Sequence, residues 1–151
     1  MSIRFFIVTF VFGMASCIGF CILNNIPRRS IIAASCVGGF AWLGYQISLE
    51  SGSSKAIAAF WGACAVAIVS EIFSRLLKEA ATVFIIPGIL PLVPGAGMYY
   101  TMTELIHGSY EAAGKIANET FFIAGSIALA LLVTGSFVRI FTTITKKIPW
   151  N

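Results

Sequence analysis

Five long stretches without a charged residue constrain the fold of this chain more than any other feature. They cover residues 5–27, 30–49, 56–70, 80–103 and 120–138, and apolar side chains fill most of each one. A helix needs about 20 mostly apolar residues to cross a bilayer, and the third stretch reaches that length through residue 74. The sequence therefore predicts an all-α, polytopic membrane helix bundle forming one domain over residues 1–151. Its spans are predicted at residues 5–24, 31–49, 56–74, 80–103 and 120–138.

The composition supports lipid as the solvent for most of the chain. Charged residues make up 11% of the sequence and the mean hydropathy is +0.93, whereas a soluble domain has about 25% charged residues. The net charge of +4 comes from basic residues at the ends of the apolar stretches. Basic residues at the ends of membrane spans set the orientation of the spans. We therefore expect a lipid bilayer around the chain and no nucleic-acid partner.

The N-terminal stretch also has features of a cleaved signal. Arg4 precedes an apolar run that leads to the tetrapeptide "MASC" ending at Cys17. The apolar run continues past Cys17 to Leu23, which is typical of a membrane span rather than of a lipoprotein signal. We therefore expect residues 5–24 to be retained as the first span.

Lysine and arginine residues divide unevenly between the two sides of such a bundle. One side holds three of them, and the other holds seven, namely Arg28, Arg29, Arg75, Lys78, Arg139, Lys146 and Lys147. Because cytoplasmic loops carry the excess of basic residues, we expect the N-terminus outside the cell membrane and the C-terminus in the cytoplasm. If residues 80–103 entered and returned on one side, each side would hold five. A full crossing keeps the bias and is favoured.

The fourth stretch contains a motif that breaks helices, "PGILPLVPGAG" at residues 87–97. Its prolines are Pro87, Pro91 and Pro94, and its glycines are Gly88, Gly95 and Gly97. Each proline removes a backbone donor, and in hydrocarbon every unpaired carbonyl costs several kcal/mol. The break must therefore be buried in protein or line a wet cavity. Discontinuous helices of this kind indicate a transporter's central site, although a kinked structural span is the alternative.

The residues after the break are candidates for substrate binding. A helix that restarts near Gly95 would point its first amides into the break, where its partial positive charge suits a carboxylate. Tyr99, Tyr100 and Thr101 follow, and they would either supply hydroxyl groups to a substrate or lie at the membrane interface. Together with the motif's prolines and glycines they form the predicted substrate pathway.

The remaining chemistry is sparse. Glu71 would serve as a proton or substrate site, or form an interfacial pair with Arg75 or Lys78. The four cysteines lie inside apolar stretches without the spacing of a zinc site, so we expect helix packing and no metal or cofactor. With one histidine, no aspartate and no nucleotide-binding loop, the sequence lacks the ingredients of an enzyme or an ATPase.

A family resemblance adds to this interpretation. The segment "PGILPLVPGAGMYYTM", preceded by "SRLLKEAATVFII", resembles the signature of the threonine/serine exporter (ThrE) family, in its C-terminal membrane half. The stretch "NNIPRRSIIAASCVGGFAWLGY" at residues 24–45 is similar to that family's first loop and second span. The resemblance implies export of a small carboxylate-bearing metabolite, either threonine and serine or a dicarboxylate such as succinate.

The resemblance also implies a partner. Some ThrE proteins are split into two subunits, and this chain resembles the small one, whose larger partner carries a cytosolic N-terminal domain. We expect this five-span chain to begin outside the membrane, whereas a partner with a cytosolic N-terminal domain must begin inside. The two chains would then insert in opposite orientations, as in an inverted repeat. Two alternatives remain at this stage: a structural subunit that stabilises a transporting partner, and a homo-oligomer.

Overall fold

A computed structural model of the chain describes residues 3–146, and all regular elements in that range are helical. They are α1 (Ile3–Leu23), α2 (Arg28–Glu50), α3 (Lys55–Leu77), α4 (Thr82–Gly88), a 3-10 turn (Leu90–Leu92), α5 (Gly95–Ile106) and α6 (Tyr110–Lys146). Within this range, α1, α2, α3 and the Tyr110–Val138 part of α6 are each long and apolar enough to cross a membrane. The segment from α4 to α5 passes the same test as one bent span. The predicted all-α polytopic bundle is confirmed.

Capping residues and backbone conformation set the ends of the helices, and these ends lie close to the span boundaries predicted from the sequence. The Ser54 side chain accepts a hydrogen bond from the Ile57 amide and caps α3, which satisfies a donor that the first turn leaves free. At the other end, Lys78 adopts a left-handed conformation with φ of 55° and ends the helix. The fifth span differs most from its prediction, because α6 begins at Tyr110 rather than near residue 120.

Small residues allow the first three helices to pack closely. A Cβ on Gly13 of α1 would lie 2.8 Å from the Gly38 carbonyl oxygen of α2, so these two backbones are in contact there. A Cβ on Gly44 of α2 would lie 3.6 Å from the Gly62 Cα of α3. Backbones approach this closely only where side chains are missing or small, as is common in membrane helices. The buried core is correspondingly rich in alanine, with Val37, Val66 and Phe84 as its larger members.

Two ion pairs fix the direction in which the helices run. Arg29, at the start of α2, binds Glu79, which follows the end of α3. At the opposite end of α3, the Lys55 ammonium lies 2.9 Å from a Glu119 carboxylate oxygen of α6. Further along the same two helices, the Thr134 hydroxyl donates to the Cys64 sulfur at 3.3 Å. Helices α3 and α6 therefore run in the same direction.

This parallel arrangement decides the path of the broken segment. Because α3 ends at the Arg29 end of the bundle and α6 starts near the Lys55 end, the chain between them must travel the full length of the bundle. It does so as two halves, Thr82–Leu92 and Gly95–Ile106, whose axes differ by 50°. Their combined length is about 35 Å at 1.5 Å per residue, enough for the hydrocarbon core of about 30 Å. The segment therefore runs the length of the bundle with a break at its centre.

Candidate functional site

The first half of the break is packed into the bundle core. Pro87 and Gly88, at the end of α4, are both buried. A Cβ on Gly88 would lie 2.4 Å from the Val37 Cγ1 of α2, so that position has room only for glycine. Leu92 of the 3-10 turn fills the space beside Gly62 of α3. This half of the motif therefore serves helix packing.

The prolines of the break leave backbone carbonyls that need other donors. In a regular helix the residue at position 91 would donate to the Pro87 carbonyl, and Pro91 has no amide hydrogen. The Cys17 thiol of α1 donates to that oxygen instead, at a distance of 3.0 Å. Pro94 likewise cannot bond the Leu90 carbonyl, which accepts from the Val93 amide at 3.3 Å. These two carbonyls of the break are thus satisfied, one of them by another helix.

The second half of the break begins with an open helix N-terminus. Helix α5 starts at Gly95, and its N-cap residue, Pro94, has no side chain that could accept a hydrogen bond. Within residues 3–146, the amides of Ala96 and Gly97 have no hydrogen-bond acceptor. A Cβ added to Gly95 would meet nothing within 4 Å. Free amides and the helix dipole together favour an anion at such a position.

Helix α5 lies on the outside of the bundle. None of its residues, all of which the structure describes, is buried, and Tyr99 and Tyr100 are 67% and 56% exposed. Gly97 contacts α6, where a Cβ would lie 2.2 Å from the Thr120 hydroxyl oxygen. The Thr101 hydroxyl donates to the Gly97 carbonyl at 2.7 Å and is used within its own helix. The two tyrosines therefore face away from the described part of the chain.

A cleft of about 500 Å³ lies between α1 and α2 and reaches the break at Pro91. Its lining residues are Val8, Thr9, Phe12, Gly13, Ser16, Trp42, Gln46 and Pro91. Pro91 is the member of the predicted substrate pathway that contributes to this lining. The side chains are mostly apolar with a few polar groups, as is typical of small-molecule sites.

Glu71 and Arg75 lie elsewhere, in the half of α3 nearest its C-terminal end. Arg75 donates to one Glu71 carboxylate oxygen through two nitrogens, at 3.2 and 2.7 Å. Glu71 also lines a smaller cavity of about 180 Å³ against α6, together with Ala81 and Ile85 at the start of the broken span. The geometry is that of the ion pair, one of the two interpretations that the sequence leaves open.

A comparison with known protein families identifies the family of this chain. A family model described as "Threonine/Serine exporter, ThrE" matches residues 8–137, which is most of the chain. The chain belongs to the ThrE family. It is therefore an integral membrane protein of a family of threonine/serine exporters. No curated protein and no solved structure is significantly similar to it.

The predicted site residues of this ThrE-family chain fall into three places. Pro87 and Gly88 are buried in the bundle and Pro91 lines the cleft, whereas Gly95, Tyr99 and Tyr100 lie on the exposed part of α5 and Gly97 contacts α6. Glu71 and Arg75 form a separate pair toward one end of the bundle. In the described range, no group of three or more acidic, histidine or cysteine side chains is arranged to hold a metal.

Sequence reasoning missed one polar side chain of the cleft, Thr9. Thr9 is one of the few polar residues within the first uncharged stretch, and polar side chains at membrane depth are functional candidates by default, so that signal would have found it. Gln46, four residues before the end of α2, is one of the few polar residues near membrane depth that the sequence does single out. Their juxtaposition depends on the packing of α1 against α2, which the sequence alone does not reveal.

Proposed function

We propose that this ThrE-family chain forms one half of an export pathway for a small carboxylate-bearing metabolite. The observation that carries the proposal is the broken fourth span, whose second half starts with two unpaired amides and open space at Gly95. A substrate carboxylate would accept from these amides and gain from the helix dipole. Threonine and serine fit this chemistry, and so does a dicarboxylate such as succinate.

The same helix supports a partner subunit. In a bilayer, unpaired amides in contact with lipid tails would cost several kcal/mol, so protein or water must cover the start of α5. We infer that the cover comes from a larger ThrE-type membrane subunit with a cytosolic N-terminal domain. A second copy of this chain is the alternative cover. Two unlike halves of opposite orientation would place the pathway at their interface, as in inverted-repeat transporters.

The proposed orientation has the N-terminus outside the cell membrane and the C-terminus in the cytoplasm. The uneven distribution of basic residues supports it, since Arg28, Arg29 and Lys78 share one end of the bundle while Lys55 and Lys115 share the other. Reporter fusions at both termini test the topology. Termini on the same side of the membrane would exclude the inverted-repeat arrangement.

An assembly subunit is the second candidate function. It is favoured by Gly88 and Gly97, which make room for Val37 and Thr120 rather than for a ligand. In that case a transporting partner would carry the pathway, and changes at the break would act only through the amount of complex in the membrane.

Efflux measurements with a matched pair of variants separate the two functions. The chain is expressed with its candidate larger subunit in cells lacking endogenous exporters, and efflux of labelled serine, threonine and succinate is followed. Gly95→Leu places a side chain into the open break, and Gly19→Leu places one into equally open space on α1. We expect Gly95→Leu to abolish efflux at an unchanged amount of complex and Gly19→Leu to retain it. Unchanged efflux per complex in Gly95→Leu would favour the assembly subunit.

A further inference from the structure

Helix α6 extends beyond the end of the bundle at which α3 begins. The ammonium group of Lys55, the first residue of α3, pairs with Glu119 of α6 at 2.9 Å, and the two helices run in the same direction. Helix α2 ends at this level too, because only residues 51–54 connect it to α3. The part of α6 from Tyr110 to Glu119 therefore lies past the ends of α2 and α3, by about 14 Å at 1.5 Å per residue.

Most of α5 accompanies this extension of α6. A Cβ on Gly97 would lie 2.2 Å from the hydroxyl oxygen of Thr120, which is one residue past the ion pair with α3. From there α5 packs against α6 and runs antiparallel to it up to Ile106, and residues 107–109 connect the two helices. Residues 98–118 thus form a helical hairpin that projects from the bundle, and we call this hairpin the arm.

The charges on the arm place it outside the hydrocarbon core of the bilayer. Glu104 belongs to its α5 half, and in its α6 half Lys115 binds Glu111 at 2.7 Å with both side chains largely exposed. Exposed charges at membrane depth are strongly unfavourable. The headgroup layer on each side of the hydrocarbon is about 5–8 Å thick, whereas the arm is about 14 Å long. The outer half of the arm therefore reaches water.

The outward face of α5 is apolar, although the arm leaves the membrane. At the helical period, five large side chains fall within an arc of about 120°. This apolar stripe, whose members are 41% to 83% exposed, consists of Met98, Tyr99, Met102, Leu105 and Ile106. The threonines and the glutamate of α5 are half-buried instead. Lipid can cover Tyr99 near the membrane, but it does not reach Ile106 at the far end, so protein must cover that part.

The stripe has the spacing of a helix–helix seam. Met98, Met102 and Leu105 are separated by four and three positions, as are the d, a and d positions of a coiled coil. In this register Glu104 falls at a c position, away from the seam and its flanking positions. Two identical stripes can therefore pack side by side without bringing like charges together.

The area of the stripe matches what a pair of copies needs. If a large side chain has roughly 200 Å² of surface, the exposed fractions leave roughly 600 Å² of the stripe accessible in each chain. Two copies would together bury about 1,200 Å², which is the lower end of the range for specific interfaces. A two-fold axis along the membrane normal brings the arms of two equally oriented copies together. A subunit of opposite orientation would carry its corresponding helices at the other membrane face.

We propose that two copies of this chain associate through the apolar stripe, by packing α5 against α5 outside the hydrocarbon core. The proposal goes beyond the proposed function, and it holds whichever solute is exported. The stripe lies along the side of α5, whereas the free amides lie at the start of that helix and point into the break. A second copy on the stripe therefore leaves room for a larger subunit at the break.

Disulfide crosslinking in membranes tests the contact directly. Met102→Cys lies at the centre of the stripe, where it would face the same residue of the second copy. Lys115→Cys is the matched control, because it lies at the same height on the exposed polar side of α6. The full chain keeps its native cysteines, and the unsubstituted chain gives the baseline. We expect mild oxidation to produce several-fold more dimer in Met102→Cys than in Lys115→Cys or in the unsubstituted chain.

Three crosslinking results would overturn the proposal. Equal crosslinking at both positions would mean that the copies meet only by random collision. Absence of a dimer in Met102→Cys would mean that lipid or another protein covers the stripe. Crosslinking of the lone chain that disappears when the larger subunit is expressed with it would mean that the larger subunit occupies the stripe.

Counting copies provides a second measurement that does not depend on thiol chemistry. Single-molecule photobleaching of a fluorophore fused to the C-terminus gives the number of chains in each complex. We expect two copies in the unsubstituted chain and one in Met102→Lys, because a charge in the seam would lose its hydration on association. Tyr100→Lys, which is exposed on the same helix but off the stripe, should keep two copies. Neither residue is buried, so both variants should fold.

The outcomes separate this inference from the export function. A single copy of the unsubstituted chain, or two copies in Met102→Lys, would reject the interface. Efflux that persists in complexes with a single copy would reject the interface and retain the export function. Two copies without efflux of any solute would retain the interface and reject the export function.

Discussion

The Cys17 thiol donates a hydrogen bond to the Pro87 carbonyl oxygen at 3.0 Å, across 70 positions of the chain. Pro91 leaves that oxygen without its helical donor, and α1 supplies the replacement. Gly38 of α2 makes the contact feasible, because a Cβ there would lie 2.0 Å from the Cys17 sulfur. Three helices therefore meet at one hydrogen bond, which joins the first span to the centre of the broken one.

Cys17→Ala should destabilise the bundle more than its loss of volume explains. Without the thiol, the buried Pro87 carbonyl loses its hydrogen bond from α1, which costs about 0.5–1.5 kcal/mol. Cys21→Ala is the matched control, because Cys21 is equally buried. Denaturant titration in detergent micelles measures the free energy of unfolding of both variants. Equal losses in the two variants would show that the hydrogen bond contributes nothing.

Gly38→Ala should lower the free energy of unfolding, because its methyl group would clash with the Cys17 sulfur. The new methyl group would displace the thiol and overpack the contact, at a cost of about 1–3 kcal/mol. In a Cys17→Ala background the penalty should shrink, since the closest clashing atom is gone. A double-mutant cycle on unfolding free energies measures this coupling. Gly19→Ala, in open space, should have little effect, and additive losses would argue against the contact.

Gly88 and Gly95 should respond differently to the same substitution. Gly88→Ala brings a Cβ to 2.4 Å from Val37 and should lower the unfolding free energy by about 1–3 kcal/mol. Val37→Ala in the same chain should recover part of that loss, because it removes the opposing methyl group. Gly95→Ala meets no atom within 4 Å and should leave stability nearly unchanged. A large loss of stability in Gly95→Ala would contradict the open break.

The path of the fourth span predicts which residues share a membrane face. Lys55→Cys and Glu119→Cys should react with an impermeant thiol reagent from one side, and Arg29→Cys and Glu79→Cys from the other. Intact cells should label the first pair, given the proposed orientation, and inverted vesicles the second. The reverse labelling pattern would mean that the chain has the opposite orientation in the membrane, with the same fold. Labelling of all four positions from one side would contradict the crossing itself.

Sequence alone predicts where the spans lie, since lipid tolerates few charges and the charged residues mark the ends of α2 and α3. It also predicts that the helix breaks around Pro91, because proline lacks the amide hydrogen that a helix needs, and it allows a restart between Gly95 and Met98. The sequence prediction treats all prolines and glycines of the break as one substrate pathway, and this is too broad. Gly88 turns out to be packed and Gly95 open, and only the neighbouring helices decide between these roles.

The contacts that the sequence does not reveal are those between distant helices. Cys17 looks like one more small apolar residue until Pro87 lies next to it. Thr9 and Gln46 are 37 positions apart, and the cleft between them follows from the close packing of α1 and α2 at Gly13 and Gly38. The end of α6 near Arg139 and Lys146 belongs to the predicted cytoplasmic face, and the Lys147 part of that prediction lies outside the described residues.

The hydrogen bond from Cys17 also bears on how chains of this family are engineered for spectroscopy. Spin labels, fluorophores and crosslinkers are usually introduced into a variant from which every native cysteine has been removed, on the assumption that the removal is neutral. Here Cys36 is half-buried and suits replacement, whereas removing Cys17 would alter the very segment that such probes are meant to report on. A label-ready variant of this chain should therefore keep Cys17.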